Sequence, residues 1–391
     1  MENTNLKPVI RFPEFTENWK PNVLGKLENI NFLKGKGISK ADIVDDGKTE
    51  CIRYGELYTI YDEVINKVYS KTNLPTSELV LSKVNDVIIP ASGETQIDIA
   101  TASCVLRDDI ALSGDLNIIR SEINGVFLSY YLNNKKKKAI ARLAQGSSVI
   151  HLYNPHLKTL KLNQPIPDEQ KRIADFLTSV DGRITLLKEK KATLEAYKKG
   201  VLQKIFNQEI RFKDVNGNDF PDWEEKMLGE VLNYEQPTKY IVESIEYDNS
   251  FETPVLTAGK SFLLGYTDET ENIFTNVPVI IFDDFTMANQ FVTFPFKVKS
   301  SAMKILKNDI TKSNIVFVYA AMEMVYYPKG DEHKRFWISE YSKIKIPFPS
   351  LSEQIKIASY LTALDDKIDS LQQKIDASLD FKKGLLQKMF V

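Results

Sequence analysis

The chain has 391 residues, 43% hydrophobic and 27% charged, with a formal net charge of −2. That length allows two to three domains, each able to bury a core. The charge balance argues against a free-standing nucleic-acid binder, which carries a basic surplus, unless local clusters or a partner supply the cations. No run approaches the ~18–20 consecutive apolar residues of a membrane span. The opening MENTNLKPVIRFPEF has no basic or apolar leader region, so no signal peptide is expected. Cys51 and Cys104 have neither metal-ligand spacing nor a disulfide framework, which fits a reducing cytosol.

The first landmarks in chain order are Ile10-Arg11-Phe12, then Trp19 and Leu24-Gly25. The stretch from Leu33 to Lys40, LKGKGISK, reads either as a basic glycine turn against a phosphate backbone or as an ordinary surface turn. β-Branched and aromatic runs predict strands over 50–60 and 86–92. A helical pattern over 125–143 carries Lys135–Lys138, a phosphate contact or a solvated face. Pro165 and Pro167 fix an extended entry to a long helix over 165–206. A second block then opens with Ile210-Arg211-Phe212, Trp223 and Leu228-Gly229. Strands are predicted over 277–284 and 338–349, and Pro347 and Pro349 lead into a second long helix over 349–391. Each globular part, 1–164 and 207–348, reads as α+β with an irregular twisted sheet.

The two long helices are copies of one another. Residues 165–206 and 349–390 align without a gap at an offset of 184, with 18 of 42 positions identical. A strict 4-3 apolar seam runs through Ile173, Leu177, Val180, Ile184, Leu187, Lys191, Leu194, Lys198, Val201 and Ile205. In the second copy it runs through Ile357, Leu361, Leu364, Ile368, Leu371, Ile375, Ser378, Lys382, Leu385 and Met389. That period predicts a coiled coil about 60 Å long. The faults differ, Lys191 standing where the second copy has Ile375 and Ser378 where the first has Leu194, which favours an intramolecular antiparallel pair. Gly200 and Gly384 imply either a close backbone approach or bend, or a helix end followed by another turn.

No catalytic constellation is legible. The chain has no GxxxxGK[ST] loop, no HExxH and no amino-methyltransferase signature, and its histidines, His151, His156 and His333, have no nucleophile partner. Asp283-Asp284 reads as a polar loop tip before a metal site. Phe291, Phe294 and Phe296 read as core. Three function classes remain open: a two-headed DNA reader, a two-headed protein scaffold and an enzyme with an unrecognised site.

The segments QPIPDEQKRIADFL (164–177) and PFPSLSEQIKIASYL (347–361) resemble the conserved helical regions of the specificity subunit of type I restriction-modification enzymes. GSSVIHLYNPHLKTLKL (146–162), GISKADI (37–43), IRYGELYT (52–59) and PFKVKSSAMKIL (295–306) are similar to parts of its target-recognition domains. The second domain has HKRFWISEYSKIKI (333–346) where the first has its Gly-Ser-Ser turn. The resemblance implies two target-recognition domains, 1–164 and 207–348, and a coiled coil of helices 165–206 and 349–391 with pseudo-twofold organisation. It implies a non-catalytic subunit that binds double-stranded DNA, each domain reading half of a bipartite site while the coil sets the spacing.

Its implied partners are two modification subunits, which carry S-adenosylmethionine and methylate adenine, and restriction subunits that use ATP and Mg to cleave unmodified DNA. No cofactor is expected on this chain. The polar loop residues that suit base reading are Arg53, Tyr54, Glu56, Ser92, Glu94, Thr95, Gln96, Ser147 and Ser148 in the first domain. In the second they are Thr257, Lys260, Asp284, Thr286, Gln290, Lys299, Ser300 and Ser301. Lys36, Lys40, Lys334 and Arg335 suit phosphate. Glu169, Gln170, Tyr197, Lys198, Glu353, Gln354, Phe381 and Lys382 are expected to face outward, toward a partner subunit or solvent.

Overall fold

Each copy of the repeat forms one long helix, Pro167–Phe206 and Leu351–Lys388. No proline interrupts either one, and Pro167 takes the first helical position, where its missing N–H costs nothing. The computed structural model describes residues 6–146, 149–257, 261–325 and 336–391. They divide into a first unit, Met1–Lys188 with Gln373–Val391, and a second, Glu189–Gln372. Each long helix is divided between the two units. Among the described residues no helix is long and apolar enough to cross a membrane.

The first unit is built on antiparallel strands Asn31–Lys34, Leu116–Arg120 and Asp86–Pro90, extended by Ser103–Val105 and Val64–Ile65. A second sheet holds Ser70–Thr72, Thr49–Ile52, Ala111–Leu112 and Val80–Leu81, its central pair parallel. The second unit repeats this plan with unrelated residues. Its antiparallel core is Leu232–Glu235, Met303–Asn308 and Val279–Asp283, with Asn289–Val292 at the edge. Its smaller sheet holds Leu263–Thr267, Thr253–Leu256 and Lys297–Val298, the last two again parallel. A two-stranded ribbon closes each domain beside its long helix, Lys20–Val23 with Lys161–Gln164 and Glu224–Met227 with Lys345–Phe348.

The seam packs within each unit. In the first unit Ile173 and Leu177 share a core with Leu385 and Met389, and in the second Val201 and Ile205 share one with Ile357 and Leu361. The two helices therefore run antiparallel in both. Ile184, Leu364, Leu371 and Ile375 are buried, while Val180, Leu187, Leu194 and Ile368 are half-buried. Both helices run on past their glycines, and a Cβ on Gly200 or Gly384 would meet nothing within 4 Å. The close-approach and helix-end readings of these glycines are corrected.

An aromatic cluster recurs at the helix ends. Phe390 lies 5.8 Å from Phe127 and 6.4 Å from Trp19, and Phe206 lies 5.6 Å from Phe317 and 5.9 Å from Trp223. The weak sequence markers also have structural work. Arg11 donates two 2.7 Å hydrogen bonds to the Glu169 carboxylate, and Trp19 Nε1 donates a third at 3.3 Å. Arg211 and Trp223 hold Glu353 in the same way, at 2.9, 3.0 and 3.0 Å. The Gln170 side chain accepts from the Asn124 amide and donates to the Pro165 carbonyl. Gln354 does the same with Asn314 and Pro349. Asn124 and Asn314 cap the helices Gly125–Tyr131 and Ile315–Met324, so each Glu-Gln pair locks a long helix to its own domain.

The expectation that Glu169, Gln170, Glu353 and Gln354 face outward is therefore overturned: they are 1%, 4%, 0% and 0% exposed. Several element assignments also change. Only Thr49–Ile52 of 50–60 is strand, because Glu56 turns back to accept the Arg53 amide and the chain coils into a 3-10 turn over Tyr54–Tyr58. The helix over 125–143 has a π-helical stretch at Leu132–Lys136. Of 338–349, Lys345–Phe348 is strand.

Candidate nucleic-acid interface

Two short parallel strand pairs organise the candidate loops. In the first unit Cys51-Ile52 pairs with Ala111-Leu112, and the Ser113 amide donates to the Ile52 carbonyl at 3.0 Å. In the second Val255-Leu256 pairs with Lys297-Val298, and the Lys299 amide donates to the Leu256 carbonyl at 2.8 Å. This equivalence sets Arg53 beside Ser113 and Thr257 beside Lys299 at matching strand exits. The sequence pointed to Lys299-Ser300-Ser301 but missed its counterpart, Ser113-Gly114-Asp115. The Ser-Gly-Asp turn after an apolar run was the available signal.

In the first unit these exits border a cleft of about 680 Å³, lined by Lys34, Gly37–Lys40, Asp42, Arg53–Gly55 and Ser113–Asp115. Lys40, Arg53 and Tyr54 come together there, and exposed Lys36 adjoins it in the chain. Gly37 and Ile38 both have left-handed backbone, at φ 64° and 59°. That is an uncommon, strained state for a β-branched residue. Ser39 and Asp42 then cap the turn Lys40–Asp42, with the Ser39 amide and hydroxyl both donating to Asp42 at 2.7 Å. Glu56 is a correction: it is buried, accepting from Arg53 and Ser70, so it positions Arg53 and offers no edge to a base.

Ser92 is also a correction, buried in a strand pair with His151. Its neighbours Glu94, Thr95 and Gln96 are exposed, with Thr95 capping Gln96–Ile99. Of the four lysines 135–138, Lys136 and Lys137 are half-buried and the outer two exposed. Ser147, Ser148, Lys260, Lys334 and Arg335 lie outside the described residues.

In the second unit the Asp284 amide donates to Ala302, which brings Asp284 beside the Lys299–Ser301 turn. Asp284 is 2% exposed, accepts from the Trp337 amide and pairs with Lys304 at 3.4 Å, so it is an internal strut rather than a base reader. Asp283, also buried, accepts from Thr286 and the Phe285 amide, which removes the loop-tip reading of this dyad. Thr286, Gln290, Ser300 and Ser301 are exposed and Thr257 is half-buried. Lys299 extends to the Tyr247 hydroxyl at 3.0 Å. Phe296 is core, Phe291 packs on Tyr319 in a different cluster, and Phe294 is exposed.

On the long helices Tyr197 and Phe381, 184 positions apart, are both exposed. Lys198 and Lys382 are corrected from outward to paired. Lys198 bonds Asp365, and Lys382 bonds Glu63 and Asp181. Burial of Lys382 opposes its charge, but Glu63 and Asp181 outweigh that and hold its pKa above the ordinary lysine value. Burial pushes the Cys51 thiol up to about 11 and Cys104 to about 12, so neither is a nucleophile at neutral pH. Among the described residues no three His, Cys, Asp or Glu gather as a metal site.

Comparison with known proteins agrees with this organisation. The model of the type I restriction modification DNA specificity domain matches residues 16–196 and 221–379. The Escherichia coli EcoR124I/EcoR124II specificity subunit is 45% identical over 164 residues, which span 40% of this chain and 40% of that protein. The putative MjaX specificity subunit of Methanocaldococcus jannaschii is 25% identical over 388 residues, covering 90% of this chain and 85% of that one. The solved S subunit from M. genitalium superposes with a TM-score of 0.66 at 18% identity, covering 98% of this chain and 99% of that chain, and shows the same fold. With both domains matched, the chain belongs to the type I restriction-modification DNA specificity family, whose members are non-catalytic specificity subunits.

Proposed function

We propose that this chain is the sequence-reading subunit of a type I restriction-modification complex, each domain reading one half of a bipartite site in double-stranded DNA. The observation that carries this is the repeated plan: two domains with matched strand exits, different loop residues, and a copy of the same long helix closing each. Different loops on one scaffold suit two different half-sites, and linkage of two weak readers raises affinity through effective concentration. The long helices act as the spacer and as the seat for two modification subunits, with exposed Tyr197 and Phe381 as equivalent contacts. In this reading S-adenosylmethionine, ATP and Mg belong to the modification and restriction subunits, the assembly works in the cytoplasm, and partners supply much of the phosphate clamp.

The test is a genome-wide map of N6-methyladenine in a methylation-competent host, with the modification subunit and with or without this chain. One bipartite motif with a fixed gap, methylated on both strands, is expected. Exchanging residues 1–160 for those of another family member changes one half of the motif only. A complex that forms with a competent modification subunit yet methylates no motif refutes DNA reading and favours a protein scaffold.

A further inference from the structure

The strand-exit cleft of the first unit contains a group that the fold leaves unused. Ser113 is 2% exposed, and its hydroxyl has no hydrogen-bond partner among the described residues. An unpartnered buried hydroxyl is costly and calls for an explanation at the site it lines. Lys34 and Lys40 line the same cleft and, with Lys36, make no ion pair among the described residues. Of the two carboxylates there, Asp42 is engaged by Ser39, and Arg53 is held by Glu56, which leaves Lys34 and Lys40 as the cations available to a ligand. At the matching position of the second unit stands Lys299, a cation.

We infer that this cleft is a phosphate seat, in which Ser113 donates its hydroxyl hydrogen to one backbone phosphate of the DNA while Lys34 and Lys40 neutralise it. The inference rests on the DNA-reading proposal and deepens it, because it assigns this site to positioning rather than to base reading. The phosphodiester supplies the acceptor that the protein withholds from Ser113. The left-handed Gly37-Ile38 step holds Lys36 and Lys40 on either side of the turn that borders the seat.

The experiment uses the full chain assembled with its modification subunits, and a duplex bearing the motif found by methylation mapping. Binding is measured across salt concentrations for wild type, Ser113→Ala, Lys34→Ala and Lys40→Ala, with phosphate-ethylation interference on the same duplex. Ser113→Ala is expected to weaken binding about tenfold. Its melting temperature is expected to be unchanged or higher, since an unpaired hydroxyl is removed. Each lysine variant lowers the salt slope by about one. Interference at one phosphate disappears in all three variants, and the methylated motif stays the same. A changed motif in Ser113→Ala makes the cleft a base reader and overturns the inference. Unchanged affinity, slope and interference in all variants also overturns it, while wild-type binding remains as evidence that DNA reading itself stands. Failure of the wild-type complex to bind the duplex is instead the failure of the DNA-reading proposal.

Discussion

Replacing Arg211 by alanine strips both guanidinium bonds from Glu353, a carboxylate with no solvent exposure. Among the described residues, only the Trp223 indole, at 3.0 Å, remains as a side-chain donor. Removing one member of a buried pair costs about 3–5 kcal/mol, because the other charge stays buried. The Arg211 side chain keeps 23% of its surface in solvent, which places the expected loss near the lower end, about 3 kcal/mol. For a unit of this size that lowers the melting temperature by roughly 6–12 °C.

The assay is calorimetry of the full chain, resolving the transition of the second unit, with Glu353→Gln and the double variant completing a cycle. Glu353→Gln in the Arg211→Ala background restores part of the loss, because a neutral amide tolerates burial better than an unpaired charge. Strict additivity, or a loss below about 1 kcal/mol for Arg211→Ala, refutes the view that this clamp holds the helix start in place. The same cycle on Arg11 and Glu169 repeats the effect in the first unit.

Three further outcomes follow from the structure. Gly200→Ala and Gly384→Ala each stabilise the free chain by about 1 kcal/mol in thermal unfolding, because the added methyl enters open space and the helix loses its glycine. Leu177→Asp with Leu361→Asp puts charges into two fully packed seam sites, so no complex with a modification subunit is recovered in co-purification. Glu323 borders a 550 Å³ cleft with Lys198 and Asp365. Burial raises its carboxyl above the ordinary 4.5 and Asp365 adds to this, while Lys198 opposes it. A raised folded pKa means that the folded state is favoured below pH 4.5 and loses that advantage as pH rises through the folded value. Glu323→Gln therefore raises the melting temperature at neutral pH, and the gain vanishes in acid.

The long helices were legible because one period governs 42 consecutive positions, and a seam leaves the same mark wherever it occurs. The domain repeat showed only as Ile-Arg-Phe, Trp and Leu-Gly. Arg and Trp grip the helix-start carboxylate, and glycine admits a neighbouring backbone: a Cβ on Gly25 would lie 2.8 Å from the Lys158 carbonyl. The central strands are buried on both faces and asked only for apolar runs, so Ser113 and Lys299 share a place in the fold and nothing in chemistry. Glu169 and Gln170 were misplaced because charged and amide residues default to the surface unless paired. Their partners lie 158 and 46 positions away, beyond the reach of any local pattern.

Phe390 closes the first domain as Phe206 closes the second, and the Ile10 amide reaches the Lys388 carbonyl at 3.0 Å. In the second domain the strand-and-clamp block follows its closing phenylalanine directly in the chain. In the first the same junction is made through space, across a covalent gap. The same packing thus forms with and without a covalent link between a domain's opening block and its closing helix. Chain connectivity is therefore not what seats a domain on the end of its closing helix; the aromatic and clamp contacts do that by themselves.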